Sequence, residues 1–178
     1  MHKDCERILF TQEEIHQMVC SLAKRINEDY KGKNLILIGL LKGSIMFMSD
    51  LMKEIELDCK IDFICASSYG SGSTSSGRVN IVKDVSQPLD GLDVLIVEDI
   101  IDSGNTLNFI TKYFKAKNAE SVKICTLLSK PDRRVVDIPV DYIGVEVPDE
   151  FVVGYGLDFD ENYRNLPYIG ILKPSVYS

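Results

Sequence analysis

The stretch from Val94 to Leu107, V-L-I-V-E-D-I-I-D-S-G-N-T-L, constrains the fold more than any other part of this 178-residue chain. Val94, Leu95, Ile96 and Val97 are apolar without interruption, which reads as a strand buried on both faces, the habit of a central strand in a parallel sheet. Glu98 and Asp99 follow at the carboxyl end of that strand, where open α/β sheets take their ligands. Beyond the turn, Leu107, Ile110, Thr111 and Phe114 recur at helical spacing, so Asp102 to Thr106 leads into an amphipathic helix. The first N–H groups of such a helix lack intrahelical acceptors and suit an anion. In this order the residues build a phosphate site beside a cation site. A solvated turn with an N-cap is the plainer alternative.

The same alternation runs through the rest of the chain. Thr11-Gln12-Glu13-Glu14 has the form of a capping box, and Ile15, Met18, Val19, Leu22 and Ile26 make one apolar stripe, which predicts a helix ending near Tyr30-Lys31-Gly32. Leu35 to Leu40 reads as a buried strand, Leu41-Lys42-Gly43-Ser44 as a tight turn, and Ile45 to Ile55 as a helix. Further strands are expected at Lys60 to Ser67, Val79 to Val85, Val122 to Leu128, Tyr142 to Val147 and Tyr168 to Leu172. Alternating strands and helices predict an α/β fold, a mostly parallel twisted sheet flanked by helices on both faces. No linker divides the chain, so the expectation is one domain over 1–178, with a core over about 30–130 and a small hood from about 1–10 and 131–178.

Composition narrows the classes of function. Apolar residues make up 45% of the chain and charged residues 26%, an ordinary globular balance. No apolar run approaches the roughly 20 residues that cross a bilayer, and Met1 to Glu6 contains no signal-peptide h-region, so a cytoplasmic protein without membrane contact is expected. The five cysteines are odd in number and form no Cys-x-x-Cys pair, which argues for reduced thiols rather than disulfides or a thiolate metal site. A formal charge of −7 is the wrong sign for a nucleic-acid surface. A polyanionic small molecule must then be met locally, by clustered Lys and Arg, helix N-termini and a divalent cation. The Walker lysine loop is absent, and no Gly-x-Gly-x-x-Gly opens a helix.

Taken whole, Val94 to Thr106 resembles the phosphoribosyl pyrophosphate (PRPP) motif of the type I purine phosphoribosyltransferases. Four more segments match that family in order. Leu41-Lys42-Gly43-Ser44 resembles its pyrophosphate loop. Ser68-Tyr69 resembles the head of its flexible catalytic loop. Lys130 matches its base-reading lysine, and Glu150 to Asp158 together with Tyr163 to Tyr168 resemble its hood. The resemblance, closest to the bacterial hypoxanthine-guanine branch, implies transfer of a phosphoribosyl group from PRPP to N9 of hypoxanthine or guanine, giving IMP or GMP and pyrophosphate.

It also implies roles. Asp102 would be the general base toward N7, and Ser103, Gly104, Asn105 and Thr106 would cradle the 5′-phosphate. Glu98 and Asp99 would contact the ribose hydroxyls directly or through Mg²⁺. Lys42, Gly43 and Arg164 would bind pyrophosphate, with Asp158 helping to hold the Mg²⁺. Lys130 would donate to the purine 6-oxo group, Phe151 would stack on the base, and Val152 would bond to it through backbone atoms. Arg133 and Arg134 read as a basic surface turn. Relatives imply a homodimer or homotetramer. A PRPP- or nucleotide-binding regulator with the same fold is the second reading, and an aspartyl phosphatase, which wants an early Asp-x-Asp at a strand end, is a third.

Overall fold

A six-stranded sheet forms the body of the molecule, in a computed structural model that describes residues 1–68 and 79–177. In chain order its strands are β2 (Leu35–Leu41), β3 (Lys60–Ser68), β4 (Val79–Lys83), β5 (Asp93–Ile101), β6 (Ser121–Ser129) and β7 (Tyr142–Glu146). Their spatial order is β4-β3-β2-β5-β6-β7. All neighbours run parallel except β4, which pairs antiparallel with β3 at one edge. The uninterrupted apolar runs of β2 and β5 belong to the two central strands and are buried on both faces, as a parallel sheet requires.

Helices cover both faces. Helix α1 (Gln12–Asp29) starts at the capping box that the sequence predicts, with Thr11 Oγ accepting from Glu14 N and the Glu14 carboxylate accepting from Thr11 N. Its stripe of Ile15, Val19, Leu22 and Ile26 packs with Phe47, Met48 and Leu51 of α2 (Ile45–Glu54) on one face, over Leu37, Leu95 and Cys125. On the other face Leu107, Ile110 and Phe114 of α3 (Asn105–Ala116) cover Ile38, Ile96 and Ile124. Alternate residues of each strand therefore feed two separate cores.

A second, three-stranded sheet stands above the first, in the order β1 (Cys5–Phe10), β9 (Ile169–Leu172), β8 (Val152–Val153). Its residues Val152, Ile169 and Ile171 join the core on the α1–α2 side. A single turn, α4 (Pro174–Tyr177), follows β9. Among the described residues no helix is long and apolar enough to cross a membrane.

The sequence and the structure differ at three strands. The segment Cys5–Phe10, expected only as an arm, is a strand because β9 offers it an antiparallel partner. The strand Tyr142–Glu146, expected in the hood, joins the main sheet instead as the parallel neighbour of β6. Strand β5 does not stop at the two acids: pairing with β6 continues through Glu98, Ile100 and Ile101, although pairing with β2 ends at Val97. The acids thus lie inside the strand, at the step where its pairing with β2 has stopped and its pairing with β6 goes on.

Candidate active site

The loop after β5 is built as an anion cradle. Gly104, at φ 84°, takes the left-handed conformation that opens α3, and no side chain caps the helix. Its first N–H groups are left to an external acceptor, save for a long 3.4 Å bond from Asn105 N to Ser103 Oγ. Glu98, Asp102, Ser103, Gly104 and Thr106 line a cleft of about 150 Å³ here. That is below the ~300–1,000 Å³ of a whole-ligand pocket and suits the phosphate end of a larger molecule.

This loop is braced from outside by the segment read from sequence as a surface turn. Arg134 donates through Nε to the Asp102 carbonyl (3.1 Å) and through Nη2 to Ser129 Oγ (3.0 Å). The amides of Val135 and Val136 both donate to the Ser103 carbonyl. Arg133 Nε stands 3.1 Å from Asp102 Oδ1, and its Nη1 reaches Asp149 at 3.1 Å. The sole signal for these contacts in the sequence was adjacency to Lys130, which the 3₁₀ turn Pro131–Arg133 follows.

Lys130 lies at the carboxyl end of β6 and is 8% exposed. Its ammonium donates to the Glu150 carbonyl at 2.7 Å, and Asp149 is 3.8 Å away. One strong acceptor leaves donor capacity for a ligand, since an ammonium carries three N–H bonds. Asp102, Arg133, Asp149 and Lys130 thus alternate in charge from the loop after β5 toward Phe151 and Val152. The Phe151 carbonyl accepts from Leu172 N. In an antiparallel pair the following residue then points its peptide groups away from its partner. Val152, on the outer strand of its sheet, accordingly turns its N–H and C=O toward the open edge. The ring of Phe151 stacks on Tyr177 at 5.0 Å and meets Phe159 edge-on at 5.3 Å.

On the other side of β5 lies the turn between β2 and α2. The Leu41–Lys42 peptide is cis. A β-carbon on Gly43 would collide with Asp99 Oδ2, and one on Gly156 would collide with the Gly43 carbonyl oxygen. Glycine at both positions lets three segments touch: the acid on β5, the Lys42 loop and the hood. Gly156 has φ 98°, which also favours glycine. Lys42, exposed, pairs with Glu161 at 2.7 Å, and Arg164 pairs with the same carboxylate at 3.2 Å and with Asp158 at 2.9 Å. Arg164 Nη1 also donates to the Gly156 carbonyl at 2.8 Å. The hydrogen bond and charge of Lys42 hold the Glu161 carboxyl below its ordinary range. Glu161 was not singled out by sequence, where it is one more acid in a run of them.

Successive strand residues project to opposite faces, and the two acids divide accordingly. Asp99 sits beneath Gly43, and Glu98 lines the cleft at the start of α3. They stay in contact, Glu98 Oε1 accepting from the Asp99 amide at 3.1 Å. Burial, reinforced by the charge of Asp99, pushes the Glu98 carboxyl well above its usual range. Among the described residues neither acid has a salt-bridge partner. Close, desolvated, unpaired carboxylates are hard oxygen donors that fit Mg²⁺, an ion usually held by one or two carboxylates plus substrate oxygens. Asp158 is not gathered with them into one ligand cluster; its oxygens meet Arg164 and the Glu161 amide. Ser68 closes β3, and Tyr69 lies outside the described residues.

Comparison with known proteins identifies the family. The model of the phosphoribosyl transferase domain family matches residues 8–160. The hypoxanthine-guanine phosphoribosyltransferase of Staphylococcus aureus is 51% identical over 178 residues, covering 100% of this chain and 99% of its own. The bifunctional protein TilS/HprT of Listeria monocytogenes is 49% identical over 178 residues, and the chain spans 28% of its length. Among solved structures, a hypoxanthine phosphoribosyltransferase from Staphylococcus aureus superposes with a TM-score of 0.96 at 50% identity, covering 100% of this chain and 97% of that one. A hypoxanthine-guanine phosphoribosyltransferase from Bacillus anthracis gives 0.89 at 43% identity, covering 95% and 98%.

Proposed function

Because the chain belongs to the phosphoribosyl transferase domain family, we propose that it works in purine salvage, transferring the 5-phosphoribosyl group of PRPP to N9 of a 6-oxopurine. Hypoxanthine and guanine are its bases, IMP or GMP and pyrophosphate its products. The observation that carries this reading is the meeting, at the carboxyl ends of β5 and β6, of an uncapped helix N-terminus with a nearly buried lysine beside a ring and an open strand edge. Together they suit a phosphate at one end and an oxo-bearing planar base at the other.

The residues divide the work. Ser103, Gly104, Asn105 and Thr106 bind the 5′-phosphate through the helix N-terminus. Lys130 donates to the 6-oxo group, Phe151 stacks on the base, and the edge peptide groups of Val152 read its rim. An ammonium accepts no hydrogen bond, so the 6-amino group of adenine would face an unmatched donor. Asp102 takes the N7 proton as N9 attacks the anomeric carbon and the C1–oxygen bond to pyrophosphate breaks. Lys42 and Arg164 exchange the Glu161 carboxylate for diphosphate oxygens, with the Gly43 backbone close by, and so take up leaving-group charge. Glu98 and Asp99, with Asp158, would hold Mg²⁺. When bound, Mg²⁺ supplies neutralisation of the diphosphate charge. Ser68 and Tyr69 belong to the loop that excludes water.

The same reading puts the chain in the cytoplasm, acting on small molecules rather than nucleic acid or membrane, as a homodimer or homotetramer. The test is conversion of hypoxanthine, guanine, xanthine and adenine with PRPP, with and without Mg²⁺. Metal-dependent turnover of 6-oxopurines but not adenine is expected. PRPP binding without turnover of any purine would overturn the reading in favour of a regulator with this fold.

A further inference from the structure

Away from the reaction site, three side chains of unlike chemistry converge where α1 meets the end of α2. His16 and Cys20 lie one turn apart on α1, and Glu54 is the last residue of α2. Their ligating atoms all lie within 4.8 Å of one another. We propose that His16, Cys20 and Glu54 form a binding site for a divalent transition metal of the zinc class.

The spacing fits the ion. With Zn–S of about 2.3 Å, Zn–N of about 2.0–2.1 Å and tetrahedral angles, sulfur and nitrogen sit about 3.6 Å apart. Cys20 Sγ lies 3.6 Å from His16 Nε2. Thiolate, imidazole and carboxylate are a donor set for zinc, whereas Mg²⁺ avoids sulfur. The site is therefore chemically distinct from the hard-oxygen acids on β5. It is also remote from the Lys42 turn, since Glu54 is nine residues along α2 from Ile45, about 14 Å at the helical rise. Burial, with Glu54 and Glu13 nearby, holds the Cys20 thiol above its ordinary range. The thiol therefore carries its proton until a metal arrives. Binding forms the metal–sulfur bond, breaks S–H and releases that proton to water, so M²⁺ with one thiolate, one carboxylate and neutral imidazole is uncharged overall. A cleft of about 460 Å³ lined by Cys20 and Glu54 opens beside the cluster. It gives the ion a path and leaves its fourth position to water. The ion would tie α1 to the carboxyl end of α2.

The experiment is a Co²⁺ titration of the full chain after chelation and removal of the chelator. Expected is a near-ultraviolet thiolate-to-cobalt band with tetrahedral d–d bands, saturating at one ion per chain and discharged by Zn²⁺. Cys20→Ser should abolish the band while keeping the far-ultraviolet dichroism and the turnover of the parent. His16→Gln and Glu54→Gln should each weaken binding, His16→Gln by at least about tenfold. Absence of a thiolate band would overturn the proposal. So would a band that survives Cys20→Ser, since it would come from another cysteine. Affinities unchanged in both His16→Gln and Glu54→Gln would reduce the site to a reactive thiol. Zn²⁺-driven dimerisation that needs Cys20 would show an ion bridging two chains rather than held within one.

Discussion

Lys130→Met is the most telling substitution in the base site, because it removes the ammonium and keeps most of the side chain's bulk. Lys130 is 8% exposed, so its hydrogen bonds are little diluted by water. A hydrogen bond from a charged donor contributes about 1.5–3 kcal/mol. Losing the one to the purine 6-oxo group should lower kcat/KM for hypoxanthine about 10- to 150-fold. The KM for PRPP should stay within about threefold, since the role proposed for Lys130 is toward the base and not the phosphates. Preference over adenine should narrow by at least the same factor, because the variant no longer sets a donor against the 6-amino group. The Glu150 carbonyl, which now accepts from Lys130 at 2.7 Å, loses its partner at a cost of about 1–3 kcal/mol. For a chain of this size the Tm should fall about 2–10 °C. Steady-state conversion of each base at saturating PRPP, with melting curves alongside, separates the two effects. The reasoning fails if hypoxanthine turnover is nearly intact, or if the PRPP KM rises as steeply as that of the base.

Three further outcomes are expected. Asp102→Asn keeps the shape of the carboxylate but cannot accept a proton, so turnover should fall at least about tenfold with PRPP affinity little changed; near-normal turnover removes Asp102 from the base role. Burial and the charge of Asp99 raise the Glu98 carboxyl well above its unfolded value. As pH climbs from the ordinary Glu range through that raised value, the unfolded chain has lost the proton and the folded chain still holds it, so stability falls. Glu98→Gln should remove this slope and melt higher than the parent at neutral pH in chelator, while binding PRPP with Mg²⁺ more weakly; parallel Tm–pH curves for the two proteins count against the assignment. Gly156→Ala combines a strained left-handed φ with a collision against the Gly43 carbonyl. It should cost about 1–3 kcal/mol and raise the KM for PRPP more than that for the base; equal rises in both would argue against a link from this turn to the Lys42 loop.

What the sequence disclosed depended on whether a residue's surroundings were local. The α1 start was legible because Thr11 and Glu14 complete their reciprocal bonds within one turn. The β2 and β5 runs were legible because burial on both faces leaves no polar alternation. Cys5–Phe10 was not, since only Cys5 of its six residues is buried and nothing within the segment shows that β9 lies beside it. Tyr142–Glu146 looked like hood because its neighbours in the chain are aromatic and irregular, yet Asp141 anchors it to the main sheet by accepting from Ile124 N. In the site, Asp102 to Thr106, Lys42 and Lys130 adjoin strand ends and so could be placed from the sequence, although their roles came only from the family resemblance. Arg133, Arg134 and Glu161 act across the chain, on residues about 30, 30 and 120 positions away, and a turn sequence carries no record of what it folds against.

The pleat of β5 explains why the site has two halves and one hinge point. Adjacent acids on a strand must diverge, so Glu98 lines the cleft at the start of α3 while Asp99 lies against Gly43. Neither could serve both places, and a single acid would leave one half without a carboxylate. Because the pairing of β5 with β2 ends at Val97 while its pairing with β6 continues past Glu98, the two acids are released from the sheet on one side only. On the proposed reaction, the purine and 5′-phosphate contacts would gather on the β6 side, through Lys130 and the loop that Arg133 and Arg134 brace. The diphosphate contacts would gather on the β2 side, through Lys42 and, by way of its bond to the Gly156 carbonyl, Arg164. Bond breaking between ribose and pyrophosphate, on the proposed reaction, then falls across the line that divides these two sets. If Mg²⁺ binds here, Glu98 and Asp99 would each supply a carboxylate from their own half of the site, and the ion would supply neutralisation of the departing group's charge.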